Sequence, residues 1–429
     1  MKSPTPEELA ESEQASSPGA RGCPPDSEPR ERSGRPAALV ALLLLAGIVV
    51  LAFLRPRLAG TIGVLSAVIA MIMLHELGHF VMAKRAGMKV TEFFLGFGPR
   101  LWSIRRGETE YGVKAIPAGG YVRIIGMSNL DQVDPADEER TYRAKPYRDR
   151  LGVAVAGSTM HFLIAAVLLF VVFAAVGIPH LRPVIAQIVP DSPAQHSDFH
   201  LGDQIVAVNG VPVKAWEDVP RYVESHGDAE LVFTVVRPVT GQRLDVAIRP
   251  KKVLDGGREV PRVGIGPERK FDYEKKPVPS AIASTVTGMP KFMWQTVKAL
   301  GGIFSPKGLE NYGNLIRGSK NANQNNRLLS PIGAARIAGE AVESGWYSVL
   351  MFLFSINIFV GIFNMVPLLP LDGGHVAIAT FEKIASSIKG RRVQVNVQRL
   401  MPITAAVLFV LVILGLSALY LDIFHPISP

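Results

Sequence analysis

Two histidines and a glutamate stand in the stretch MIMLHELGHFVMAK, Met71 to Lys84, at the end of a run that is otherwise almost entirely apolar. On a helix, positions four apart share a face, so His75 and His79 can grip one metal ion with Glu76 beside it. Two imidazoles at this spacing are ligands for zinc, and the adjacent carboxylate can take a proton from a water activated there. A purely structural role, two satisfied polar histidines at a helix interface, fits less well. Ionisable groups inside a membrane span cost up to about 2.5–3.5 kcal/mol, so they usually mark function.

Such a site needs a third protein ligand and one position left open for water. Three residues are candidates. The segment FNMVPLLPLDGGH, Phe363 to His375, closes an apolar run. Pro367 and Pro370 prevent a regular helix there and re-aim the side chains that follow. Asp372 and His375 both lie in this segment, although Gly373 and Gly374 also suit Asp372 to a plain turn. His161, in AGSTMHFLIAA, is the third candidate.

The elements that must hold these residues are membrane spans. The chain has 429 residues and is 48% hydrophobic, which is too apolar for an ordinary soluble protein. Five runs approach the roughly 20 apolar residues a span requires. They are 36–54, 61–83, 151–178, 346–375 with its LDGG end, and 401–421. Lys and Arg crowd the regions 84–150 and 383–399, and the positive-inside rule puts both in the cytoplasm together with the N-terminal tail. The stretch from Pro179 to Gly345 and the C-terminus then lie outside. His79 and Asp372 fall at the same end of their spans, which ranks Asp372 first among the third ligands. Because the positive charges flank spans, they do not read as a nucleic-acid patch. The one cysteine, Cys23, excludes an intrachain disulfide. Residues 1–35, rich in Pro, Ser and Glu, read as a disordered tail, and 36–54 as a retained anchor.

Between the second and third spans, 84–150, two alternating runs flank Arg106-Gly107 and read as a β-hairpin, with a charged linker from Asn129 to Arg150. Phe93, Phe94, Phe97 and Trp102 are too apolar for a solvated loop, so the hairpin is expected to dip toward the bilayer. Outside, 181–268 shows short strands, an Asn209-Gly210 hairpin turn and one helix over Trp216–His226, a compact α/β module. Residues 277–345 read as an amphipathic helix, lying on the outer leaflet or packed on protein, followed by a linker.

HELGH in one span, LDGG after another, an external PDZ-like module between them, and the GFGP and PAGGYV segments together resemble the site-2 protease family, of the actinobacterial type with one PDZ-like domain. The resemblance covers nearly all of the chain from Thr61 onward. It implies a polytopic α-helical membrane protein, a core of four transmembrane helices with one extra N-terminal span, carrying a cytoplasmic-side β-hairpin and an extracytoplasmic PDZ-like domain. It implies zinc held by His75, His79 and Asp372, with Glu76 as catalytic acid/base and Asn364 helping to hold substrate. The strand edge near Gly119 and Gly120 would receive an unwound substrate segment. The expected substrate is a pre-trimmed single-span protein of the bacterial plasma membrane, such as an anti-sigma factor, with the PDZ-like module as a sieve. A catalytically silent PDZ-containing scaffold is the alternative, but it has no use for Glu76. Metal transport would want a ladder of ligands along a span, and none is present.

Overall fold

In the computed structural model, the described residues are 55–127, 131–255, 258–319 and 327–425, with Gly47. The tail expected at 1–35 and, Gly47 apart, the extra span expected at 36–54 lie outside them. Four helices are long and apolar enough to cross a membrane: Leu58–Arg85, Tyr147–Val176, Trp346–Asn364 and Gln398–Phe424. The chain is thus built as a polytopic membrane protein.

The first of these is helix α1, Pro56–Arg85, which opens on a proline whose missing N–H costs nothing in a first turn. Strands β1 (Val90–Arg106) and β2 (Thr109–Ile124) follow. They are longer than the expected hairpin and are not a simple one. Glu92–Leu95 pairs on one side with Gly120–Arg123 and on the other with Glu110–Val113, while Trp102–Arg106 pairs with Thr109–Val113. Both strands therefore double back, giving four antiparallel segments in the order 120–124, 90–95, 109–114, 102–106. The bends fall at Gly96, Gly98 and Gly119, with φ of 87°, 84° and 147°. Only glycine adopts such backbone cheaply. Segment 120–124 is left as an edge. In the expected linker, a 3-10 turn spans Pro135–Arg140, and helix α2 (Tyr147–Val171, continued by a π turn to Val176) starts before residue 151.

The next module comprises β3 (Ile178–Leu181), β4 (Ile185–Ile188), β5 (Gln204–Val208), β6 (Val211–Pro212), helix α3 (Asp218–His226), β7 (Leu231–Val236), β8 (Arg243–Ile248), β9 (Lys251–Asp255), β10 (Arg258–Arg262), β11 (Ile265–Pro267) and β12 (Phe271–Glu274). A four-stranded sheet runs β6-β5-β7-β8. Asn209 and Gly210 turn β5 into β6 with φ of 48° and 77°, the positive values that a two-residue hairpin turn demands. Ile185, Ile205, Trp216, Val219, Leu231 and Phe233 form its core, each full burial of a large side chain contributing about 1.5–3 kcal/mol. β3 and β12 pair with Leu181 opposite Phe271, so the module enters and leaves through one ribbon.

Helix α4 (Val278–Ile303) follows. Its middle residues Met289, Phe292 and Met293 pack on Ala165, Leu169, Phe354 and Ile358, while Ile282, Val286, Trp294 and Val297 are exposed. The linker expected after it is instead helical in part, with α5 (Pro306–Ile316) and α6 (Pro331–Ser344) capped by the hydroxyls of Ser305 and Ser330. Helix α7 (Trp346–Asn364) is shorter than the expected 346–375, because Pro367 and Pro370 end it. Asp372 opens a separate helix, α8 (Asp372–Lys389). The last helix, α9 (Met401–Phe424), is held near its end by a buried ion pair. Asp422 lies 2.6 Å from Arg327 and also accepts the Ser330 N–H at 2.7 Å.

Removing one partner of a buried pair strands the other charge, at about 3–5 kcal/mol. Asp422→Ala is therefore expected to lower the melting temperature in detergent sharply, and an unchanged melt would show that α9 is held otherwise.

Candidate active site

The site forms where α2 crosses α1. At Gly78 a Cβ would lie 2.8 Å from the Ala156 carbonyl oxygen. At Gly157 a Cβ would lie 2.4 Å from both His75 Cε1 and His79 Nε2. Small residues let the two backbones close up in this way. His79 donates from Nδ1 to the Val153 carbonyl at 2.7 Å, which fixes the tautomer and leaves the Nε2 lone pair forward.

Asp372 reaches the histidines because Gly373 and Gly374 let α8 press on the loop before it. A Cβ at Gly373 would lie 2.3 Å from the Met365 carbonyl oxygen, and one at Gly374 would lie 2.6 Å from Leu369 N. The two glycines thus serve a close approach, not only the plain turn they could equally suit.

The two Nε2 atoms are 3.2 Å apart, and Asp372 Oδ2 is 3.4 Å from that of His75 and 3.3 Å from that of His79. A tetrahedral zinc with bonds of about 2.0–2.1 Å has ligand–ligand edges of about 3.3 Å. Asp372 Oδ2 is buried with no hydrogen-bond partner among the described residues. An anionic oxygen and imidazole lone pairs meeting in one buried place repel unless a cation sits among them. The three residues fit a metal ion, and they alone among the described residues form such a cluster.

Glu76 is half-buried beside them and accepts a hydrogen bond from the Val122 backbone. The edge segment of β2 lies against α1 here, since a Cβ at Gly120 would be 3.4 Å from Glu76 Cγ and 2.6 Å from Met73 Sδ. Gly119 supplies the bend into that edge. Asn364 is the half-buried last residue of α7 and is not part of the cluster. His375, one turn after Asp372, sets its ring edge to Tyr142 at 6.2 Å and lines a cavity of about 310 Å³ with Val122, Arg150, Leu369 and Glu382. His161 stands beside His75, ring centroids 5.0 Å apart, but outside the ligand cluster. Neither rival belongs to the group formed by His75, His79 and Asp372.

Sequence reasoning missed Val153, Gly157, Val122 and Asn357. Only Asn357, an amide inside an apolar span, carried a signal that could have found it. Gly157→Ala should push the histidine rings apart and lower metal affinity by roughly 10- to 100-fold. Metal analysis by mass spectrometry after dialysis reads this, and full occupancy would contradict the close fit.

Residues 63–411 match the family described as Peptidase family M50. The zinc metalloprotease Rip1 of Mycobacterium tuberculosis is 31% identical over 394 residues, covering 84% of this chain and 96% of the relative. That of Mycolicibacterium smegmatis is 32% identical over 401 residues, with the same coverage. A match across most of the chain, including the helix that carries HELGH and the start of α8, establishes that the chain belongs to peptidase family M50.

Proposed function

We propose that this chain is a zinc-dependent peptidase that cuts the membrane-embedded segment of a single-span protein, with His75, His79 and Asp372 holding the ion and Glu76 acting as general base. One observation carries the reading. Three lone-pair atoms converge at 3.2–3.4 Å on helices of a membrane-spanning bundle, with a carboxylate adjoining.

Held by His75, His79 and Asp372, a zinc ion would supply a water of lowered pKa, near about 7, and would polarise the scissile carbonyl. Glu76 takes the proton from the attacking water and returns it to the leaving amine. The backbone N–H of Val122 keeps the Glu76 carboxylate aimed at the cluster. A substrate helix hides its carbonyls in hydrogen bonds and must be unwound first. The edge segment 120–124, which begins at Gly119 and Gly120 beside Glu76, supports capture of that unwound stretch by strand addition. Asn364, close before Asp372 in the chain, would hold the substrate backbone.

The clusters of Lys and Arg favour a cytoplasmic face for the β1–β2 sheet and α8, in a bacterial plasma membrane. The module from β3 to β12 then lies outside, as does the C-terminus. Its sheet, its single helix α3 and a cavity of about 190 Å³ between α3 and residues 261–265 support a PDZ-like assignment. Its attachment through one ribbon suits a sieve that admits only pre-trimmed substrates, such as an anti-sigma factor.

Glu76→Gln should keep zinc and lose cleavage of a fluorescent transmembrane substrate by about 10²-fold or more. Cleavage at the normal rate would remove Glu76 from the mechanism and favour the scaffold alternative. Because Leu181 and Phe271 are cross-strand partners, residues 182–270 can be replaced by a short turn. That enzyme should cut an untrimmed substrate, and loss of all cleavage with zinc retained would mean that the module docks substrate instead.

A further inference from the structure

We propose that His161, held in a single tautomer by Asn357, is a catalytic residue that accepts a hydrogen bond from the second O–H of the attacking water. The proposal rests on the peptidase reading above. His161 is 2% exposed on α2, and its ring is tilted 45° to that of His75. Its Nδ1 lies 2.8 Å from Asn357 Oδ1. Asn357 is fully buried on α7, with Nδ2 2.7 Å from the Leu353 carbonyl oxygen and 2.8 Å from Met71 Sδ.

These partners decide where the protons are. A carbonyl only accepts, so the amide nitrogen of Asn357 must face Leu353 and its oxygen must face His161. An amide oxygen also only accepts, so His161 carries its proton on Nδ1. In the neutral ring Nε2 then holds a lone pair. No hydrogen bond to Nε2 occurs among the described residues. Helix α7 passes close to α2 here, since a Cβ at Gly361 would already lie 3.2 Å from His161 Cβ.

A lone pair beside His75 has two uses, as a ligand or as an acceptor. The ligand places are filled by His75, His79 and Asp372, a group that does not include His161. The attacking water has two hydrogens, and Glu76 removes one. His161 Nε2 accepts a hydrogen bond from the other, which turns the oxygen lone pair toward the scissile carbonyl. Asn357 touches no reacting atom and is a positioning residue. The same logic explains why an amide and an imidazole are kept together within two apolar helices, where each alone would be costly.

The test begins with the tautomer, which is independent of activity. Full-length, zinc-loaded protein labelled with ¹⁵N-histidine in nanodiscs is studied by NMR, and the His161 signals are assigned by their loss in His161→Asn. The Nδ1–H form is expected, and the Nε2–H form would overturn the proposal. His161→Phe should lower kcat by about 10- to 100-fold with KM and zinc content unchanged. Asn357→Leu should do the same, and the double variant should lose little more, since one residue acts through the other. An unchanged kcat, or zinc lost with His161, would also overturn it. Failure of the peptidase reading shows separately, as cleavage that survives Glu76→Gln.

Discussion

Electrostatic repulsion between lone pairs is the constraint on which the rest of the structure depends. Two imidazole nitrogens and a carboxylate oxygen are held within 3.4 Å of one another in a buried place. The polypeptide cannot hold them there at low energy without a cation, and it spends much of its architecture bringing them together. Two come from one helix turn. The third comes from a helix that begins only because two prolines end the span before it. Water could solvate such a cluster at a protein surface, but hydrocarbon cannot.

Close approach of backbones is how the fold meets that constraint. Gly78 and Gly157 let α2 press on α1, Gly361 lets α7 press on α2, and Gly373 and Gly374 seat the start of α8. Gly120 brings the sheet edge against Glu76 by the same means. Apolar association is weak inside a bilayer, so packing of this kind and satisfied polar groups must hold the helices. The Asn357–His161 bridge and the Arg327–Asp422 pair are two such polar ties, one beside the site and one at the far end of α9.

The chemistry was more legible in the sequence than the architecture that supports it. His75, Glu76 and His79 are marked by helical spacing inside an apolar run, a local signal. Asp372 could be ranked first because charge placement puts both motif ends on one side of the membrane. The doubled-back sheet was not legible. Glu92–Leu95 pairs with two distant segments of the same strand, and bends at Gly96, Gly98 and Gly119 look like ordinary loop glycines until the pairing is seen. Gly157 was invisible for a related reason, since a glycine between alanine and serine shows nothing of the two rings it faces. The break in the helix was legible from Pro367 and Pro370, but its position at Asn364 was not, because the apolar run continues past it.

Membership of peptidase family M50 accords with the metal cluster and with the carboxylate beside it. The central claim is that one zinc ion sits among two imidazoles and one carboxylate. X-ray absorption at the zinc edge of the purified protein tests this most directly. Two imidazole nitrogens and two oxygens, all at about 2.0–2.2 Å, are expected. A shell with three imidazoles would move His161 or His375 into the ligand set, and a six-oxygen shell would mean that the ion lies elsewhere. Either result would contradict the assignment of Asp372.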